Sequence, residues 1–183
     1  MGPVAFVEAC VFDSEHKLRH LAFFEELATT AEGSPDWRSA MAGLVTLRLV
    51  DSWLEDDTAV AAADGSSLPA VAEVVAAMDD GKPARTLLDR VAVALQEQKP
   101  DIHVVATPLL AYAQSLEYDA KWRLAADVYH AVLAHLHPTY DSDASVAAHL
   151  RLGQCYRNLN HLDDAAQAFE SASEIATKSG DIV

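Results

Sequence analysis

Apolar residues recur at spacings of three and four along almost the whole chain of 183 residues. In the run from Glu15 to Ala31, for example, Leu18, Leu21 and Phe24 are three residues apart. This spacing is typical of one buried face of a helix, whereas a strand at a sheet surface alternates apolar and polar residues. No segment predicts a strand convincingly, and only residues 4–12 could be either a short helix or an extended segment. The pattern therefore predicts an all-α protein.

Short breaks rich in Gly, Pro, Asp and Ser divide the chain into about eight helices. They are predicted near residues 15–31, 36–55, 68–78, 83–98, 102–117, 120–135, 143–159 and 162–178. The fifth helix could begin at Ile102 or at Thr107, and Pro108 is expected only in its first turn. Ser142 or Asp143 is predicted to be the N-cap of the seventh helix, and Ser179–Gly180 the C-cap of the eighth.

The connections between these helices are short, so neighbouring helices are expected to pack antiparallel. One such pair cannot bury its apolar face alone, and pairs therefore stack. We predict a single domain over residues 1–183, built from four stacked hairpins. These are hairpin 1 (14–56), hairpin 2 (67–98), hairpin 3 (102–136) and hairpin 4 (143–179). Periodicity alone leaves a closed helix bundle open as an alternative.

The charge balance limits the partners of the chain. It has 28 acidic and 13 basic residues, which gives a formal net charge of −15. A surface this negative repels nucleic-acid backbones, so no nucleic-acid partner is expected. It favours a basic partner or simply keeps the chain soluble.

The chain shows no sign of a membrane span or of secretion. No apolar run approaches the ~18 residues that a membrane helix needs. The first twelve residues lack the basic start of a signal peptide and contain Glu8. The two cysteines, Cys10 and Cys155, suggest buried thiols rather than a disulfide framework. We therefore expect a soluble, cytoplasmic protein without membrane contact.

One segment, residues 145–177, carries a recognisable motif. The family pattern is Leu-Gly and then Tyr in a first helix, followed by Ala-x-x-x-Phe in a second helix. The matching residues are Leu152, Gly153, Tyr156, Ala165, Phe169 and Ala172. This segment resembles a tetratricopeptide repeat (TPR), with His149 in place of the usual aromatic residue and Thr177 where Pro is common. The resemblance implies an α-α superhelix of stacked hairpins.

The small residues Gly153 and Ala165 should allow the two helices of hairpin 4 to approach closely. Tyr156 and Phe169 should fill the wedge between this pair and its neighbours. Hairpin 3 repeats the second-helix motif more weakly, with Ala125 placed 40 residues before Ala165. This distance exceeds the family's period of about 34, so longer linkers are required.

The resemblance implies a scaffold or adaptor that binds a peptide or partner protein on its concave face, which the first helix of each pair lines. The polar residues expected there are Gln114, Glu117, Arg151, Gln154, Arg157 and Asn158. The alternative is a structural, regulatory or self-associating segment of a larger multidomain protein.

No catalytic, metal or cofactor site is predicted, and we expect the chain not to be an enzyme. His16 and His20 have the i,i+4 spacing of metal ligands, but no third ligand lies near them in the sequence. We expect both to be solvated, beside Lys17 and Arg19.

The last helix raises the question of self-association. Its apolar stripe should be covered only in part by its own partner helix, and it comprises Ala165, Ala168, Phe169, Ala172 and Ile175. Such a face predicts either a longer array or a homodimer through the C-terminal helix.

Overall fold

The computed structural model describes residues 20–31, 34–55, 86–87, 90, 93 and 102–180. These residues form six helices and no strand, which confirms the all-α prediction for this part of the chain. The helices are α1 (Leu21–Thr29), α2 (Pro35–Glu55), α3 (Ile102–Tyr118), α4 (Trp122–His135), α5 (Ser142–Asn158) and α6 (Leu162–Gly180).

The middle of the chain is described only at four helical residues, Thr86, Leu87, Arg90 and Val93. They fall within the predicted fourth helix. The third predicted helix and residues 4–12 lie outside the described residues.

The chain divides into two compact units, Met1–Pro108 and Leu109–Val183. The boundary falls inside α3, at Pro108. The prediction of a single domain over the whole chain stays a prediction.

In the first unit, α1 packs against α2. Phe23 of α1 and Leu44 and Leu47 of α2 are completely buried. The imidazole Nε2 of His20, at the start of α1, lies 2.9 Å from Oδ2 of Asp51, near the end of α2. The two helices are therefore antiparallel, as predicted for hairpin 1.

The prediction of a solvated His20 is wrong, because its side chain is only 1% exposed. Its imidazole pairs with Asp51, which lies 31 residues later and is also buried. A pairing at this distance leaves no trace in the local sequence pattern. His16 lies outside the described residues.

In the second unit, α5 packs against both α4 and α6. The turn between α3 and α4 places Ala120 in the left-handed conformation, with φ 57°. The amide of Lys121 donates to the carbonyl of Leu116 at 2.8 Å, and that of Ala120 to the carbonyl of Glu117 at 2.9 Å. These two hydrogen bonds form a Schellman motif, which satisfies the last carbonyls of α3.

The turn between α5 and α6 has the same geometry 40 residues later. Asn160 has φ 60°. The amide of His161 donates to the carbonyl of Tyr156 at 2.9 Å, and that of Asn160 to the carbonyl of Arg157 at 3.1 Å. Hairpins 3 and 4 are therefore equivalent at their turns, with an offset of 40 residues.

Three predictions about helix ends need correction. α3 begins at Ile102, so Pro108 lies inside the helix, where its ring removes one backbone hydrogen bond. The N-cap of α5 is Asp141 rather than Ser142 or Asp143, and its carboxylate instead accepts from the amide of His137 at 2.8 Å. Gly180 is the last helical residue of α6 rather than part of a cap.

The apolar stripe of α6 is better covered than the sequence predicts. Ala165, Ala168 and Ala172 are 5% exposed or less. Phe169 and Ile175 are half-buried. These positions face the interior. The other side of α6 is polar, and its exposed residues include Gln167, Glu170, Ser173, Glu174 and Lys178.

Candidate functional site

The two helices of hairpin 4 are in close contact where Gly153 of α5 meets Phe169 of α6. A Cβ atom placed on Gly153 would lie 2.6 Å from Cε1 of the Phe169 ring, inside van der Waals contact. Both Gly153 and Ala165 are buried. Glycine therefore stands at this position because any side chain would collide with the ring.

One side of α5 is left open by its neighbours. We call this side the open stripe, and it consists of Ala147, Leu150, Arg151, Gln154, Arg157 and Asn158. All are exposed except Gln154, which is half-buried. Four of the six residues predicted to bind a partner thus lie on one face of one helix.

The equivalent positions of α3, 40 residues earlier, are exposed only in part, since Leu110 is half-buried and Glu117 is buried. The exposed ones include Ala111, Gln114 and Tyr118, and the Tyr118 side chain is 93% exposed. Gln114 was predicted from the sequence, whereas Tyr118, Ala147 and Leu150 were missed. The offset of 40 residues is a sequence signal that could have found Tyr118, because it is the counterpart of the predicted Asn158.

Glu117 differs from the other predicted residues because it is buried, with only 9% exposure. Its carboxylate accepts a hydrogen bond from the hydroxyl of Tyr129 in α4. Its second oxygen pairs with Nη1 of Arg151 in α5 at 3.4 Å. Glu117 therefore joins α3 to α4 and α5, and we do not expect it to contact a partner directly.

The contact between Glu117 and Arg151 also shows how the first helices are arranged. It places α5 beside α3, so the open stripe of α5 and the exposed residues of α3 belong to neighbouring helices. Arg151 keeps 52% of its side chain exposed. Since its guanidinium carries five donors, it retains donors that can reach a ligand.

An open groove of about 460 Å³ lies at one end of the open stripe, between the start of α5 and the end of α6. Its walls are partly apolar, from Val146, Ala147, Leu150 and Ala176, and partly polar, from Ser142, the exposed Asp143 and Ser179. Leu150 is 47% exposed and lines this groove. The stripe therefore runs from an apolar end to a polar end rich in hydrogen-bond donors.

A cluster of aromatic and titratable groups lies where α4, α5 and the last turn meet. Nε2 of His130 and the hydroxyl of Tyr156 are 2.6 Å apart. The Tyr156 ring stacks on His161 with ring centroids 6.2 Å apart, and His161 lies 3.7 Å from Asp164. Tyr156 therefore lies between α4 of hairpin 3 and the last turn of hairpin 4.

Burial lowers the pKa of His130, with a further contribution from His149 and an opposing one from Asp164. Burial also lowers the pKa of His149. The pKa of the Tyr156 hydroxyl is raised, first by burial and then by Asp164 and other nearby charges. These groups are accordingly neutral near pH 7, and they pack the seam between α4 and α5.

The thiol of Cys155 in α5 is completely buried. Burial and the nearby Glu117 raise its pKa to about 12. A thiol of this kind stays protonated at neutral pH and is a poor nucleophile. Within the described part of the chain, no three His, Cys, Asp or Glu side chains are arranged to hold a metal ion.

Comparisons with known proteins give no match: no family model, no curated protein and no solved structure matches this chain. None of the helices that the structure describes is long and apolar enough to cross a membrane.

Proposed function

We propose that this chain is a TPR-like helical-repeat protein that binds a peptide or partner protein on the open stripe of α5 and the neighbouring exposed face of α3. The observation that carries the proposal is the 40-residue equivalence of hairpins 3 and 4. The two hairpins share the same Schellman turn, and Ala111 and Tyr118 of α3 are exposed, as are the equivalent Arg151 and Asn158 of α5. Stacked repeats of this kind create continuous binding surfaces from their first helices.

Binding rather than catalysis is favoured by the chemistry of the open stripe. It carries guanidinium and amide groups, which recognise carboxylates and peptide backbones. Gln114, Gln154 and Arg157 are positioned by helices rather than by loops, so their spacing is fixed. Asn158 donates to the carbonyl of Gln154 at 2.9 Å, which orients its amide.

The experiment is a selection of peptides on the purified chain. A phage-displayed library of random peptides, each about 12 residues long, can span the ~25 Å of α5 when extended. Peptides selected on the wild-type chain should lose binding to the Ala147→Glu variant. The matched control is Ala166→Glu, an exposed alanine of α6 outside the open stripe, which should leave binding unchanged. Equal loss in both variants, or no selected peptide, would defeat the proposal.

The second candidate is self-association through α6, including a role as a segment of a larger scaffold. Its support is Ile175, which is half-buried and borders the groove residue Ala176. Light scattering tests it: a dimer that the Ile175→Glu variant abolishes supports this candidate, and a monomer at high concentration contradicts it. The buried stripe of Ala165, Ala168 and Ala172 gives it no further support.

A further inference from the structure

The groove between the start of α5 and the end of α6 combines apolar walls with one acidic group. Val146, Ala147 and Leu150 of α5 line its apolar side, and Leu150 is 47% exposed. Asp143 lines the same groove, and its exposed carboxylate makes no ion pair with any residue that the structure describes. The groove is therefore complementary to a surface that presents an apolar side chain next to a cation.

A surface of this kind lies in the middle of the same chain. Leu87, Arg90 and Val93 are helical, within the helix that the sequence predicts over residues 83–98. Leu87 is completely buried, whereas Val93 is 49% exposed. Arg90 is exposed, and its guanidinium has no ion-pair partner in the described part of the chain. We call Arg90 and Val93 the basic-apolar pair.

The spacing of side chains is the same on both surfaces. Arg90 and Val93 are three residues apart, which places their side chains about 5–6 Å from each other on one face of a helix. Asp143 and Val146 of α5 are also three residues apart. When the two surfaces face each other, the guanidinium can therefore pair with the carboxylate while the valine enters the groove. The groove, with a volume of about 460 Å³, has room for a valine side chain.

We propose that the groove of one copy binds the basic-apolar pair of a second copy, so that the chain self-associates head to tail. The two surfaces differ, and the contact is therefore heterologous. Each dimer keeps one free groove and one free basic-apolar pair, so association continues past the dimer into a ring or an open chain. A dimer through α6 would instead use the same surface on both copies.

The net charge of −15 opposes contact between two copies. At physiological ionic strength, however, exposed charges act over only about 8 Å, so the local pair of Asp143 and Arg90 decides the contact. The docked valine also removes apolar surface of Leu150 and Ala147 from water, which favours association. Because the contact is small, we expect the weak affinity of a transient interface.

Self-association has a consequence for the open stripe, to which Ala147 and Leu150 belong. A second copy in the groove covers the apolar end of the stripe and therefore competes with a partner protein there. This consequence rests on the proposed function, whereas the self-association itself does not.

Analytical ultracentrifugation of the full chain tests the association. At about 0.15 M salt, the weight-average mass should rise with protein concentration up to roughly 1 mM, and it should not level off at the mass of a dimer. Asp143→Arg and Arg90→Asp should each weaken the association at least about tenfold, because attraction becomes repulsion. A monomer at every concentration would overturn the inference and leave the proposed function standing.

A charge swap distinguishes a direct contact from an indirect effect. The chain that carries both Asp143→Arg and Arg90→Asp should self-associate as the wild type does, because the ion pair is restored with its charges exchanged. An equimolar mixture of the two single variants should also associate, since each groove again meets the opposite charge. If neither the double variant nor the mixture associates, the two groups do not pair and the inference is wrong.

The matched controls are Asp163→Arg and Arg38→Asp. Asp163 is exposed in the first turn of α6, as Asp143 is in the first turn of α5, so the two substitutions change the net charge and a helix end in the same way. Arg38 is an exposed arginine of α2. Both controls should associate as the wild type does, and circular dichroism should show the wild-type helix content in every variant. A dimer that Ile175→Glu abolishes and neither charge reversal weakens would overturn the inference in favour of a contact through α6.

Discussion

Hairpins 3 and 4 have the same turn but differ at the position just before it. In hairpin 3 this position is Glu117, buried beneath Arg151 and bonded to the hydroxyl of Tyr129. In hairpin 4 it is Arg157, which is exposed, and the residue equivalent to Tyr129 is Phe169, which has no hydroxyl. Among the described helices, α3 has a first helix packed beside it on this side and α5 has none. The presence of a neighbouring first helix therefore decides whether this position can carry a buried carboxylate, since a carboxylate is buried only where hydrogen-bond donors surround it.

The packing inside the two hairpins differs as well. Ala113 of hairpin 3 is completely buried, as is Tyr129, so a Cβ atom fits at this crossing. The equivalent Gly153 has no room for a Cβ atom, because the ring of Phe169 lies against it. In hairpin 4, the Phe169 ring therefore packs directly on the backbone of Gly153. In hairpin 3, the methyl group of Ala113 and the hydrogen bonds of Glu117 contribute to the packing.

The largest expected effect comes from Gly153→Val. The new side chain would overlap the Phe169 ring, and we expect a loss of about 3 kcal/mol in the free energy of unfolding, measured by urea titration. The matched control is Gly180→Val, because a Cβ atom on Gly180 meets nothing within 4 Å. The control should change stability by less than about 0.5 kcal/mol. Equal midpoints for the two variants would show that α5 and α6 do not cross closely at Gly153.

The second prediction separates two buried tyrosines of hairpin 3. Tyr129→Phe removes the donor to Glu117 and leaves a buried carboxylate less satisfied, which should cost about 2 kcal/mol. Tyr112 is 3% exposed, and its hydroxyl has no hydrogen-bond partner among the described residues. Tyr112→Phe should therefore be neutral or stabilising by up to about 1 kcal/mol.

Urea titration of both variants checks this difference. If Tyr129→Phe is as stable as Tyr112→Phe, the network around Glu117 does not stabilise hairpin 3.

Local sequence patterns were sufficient for five of the six described helices and for the close contact within hairpin 4, whereas α1 begins at Leu21 rather than near residue 15. The spacing of apolar residues located α2 and the four helices α3 to α6 to within about two residues at their ends, since each helix needs one continuous buried face. Gly153 could be assigned to a close crossing because only packing explains a glycine inside a helix. Pro108 was misplaced because its local preference for a first turn was overridden inside α3.

Contacts between distant parts of the chain could not be predicted. Glu117 was predicted to line the binding face of a first helix, but its partners are Tyr129, 12 residues later, and Arg151, 34 residues later. His20 is buried for the same reason, since Asp51 lies on another helix. A polar residue acquires a buried role only when the fold supplies its partner, and a pattern of single residues carries no record of that partner.

The third prediction concerns the two turns. Ala120 has φ 57°, which costs an L-residue with a Cβ atom roughly 1 kcal/mol, whereas Asn tolerates this conformation at position 160. Ala120→Gly should therefore stabilise the chain by about 1 kcal/mol, and Asn160→Gly by only a few tenths. Thermal unfolding of the two variants measures the difference. A larger gain from Asn160→Gly would show that the turns are not equivalent.

The smallest expected effect is on pH dependence, and it tests the seam between hairpins 3 and 4 rather than either hairpin. Burial lowers the pKa values of His130 and His149 below 6.5 in the folded chain. The unfolded chain therefore binds more protons as pH falls below about 6.5, so the free energy of unfolding should decrease there and be fully present above it. Both imidazoles keep some exposure, which limits the effect. The double variant His130→Gln, His149→Gln should flatten the dependence between about pH 7.5 and 5.5, while His137→Gln, in the exposed loop before α5, should leave it unchanged. If the free energy of unfolding of the double variant depends on pH as steeply as that of the wild type, groups other than His130 and His149 cause the dependence.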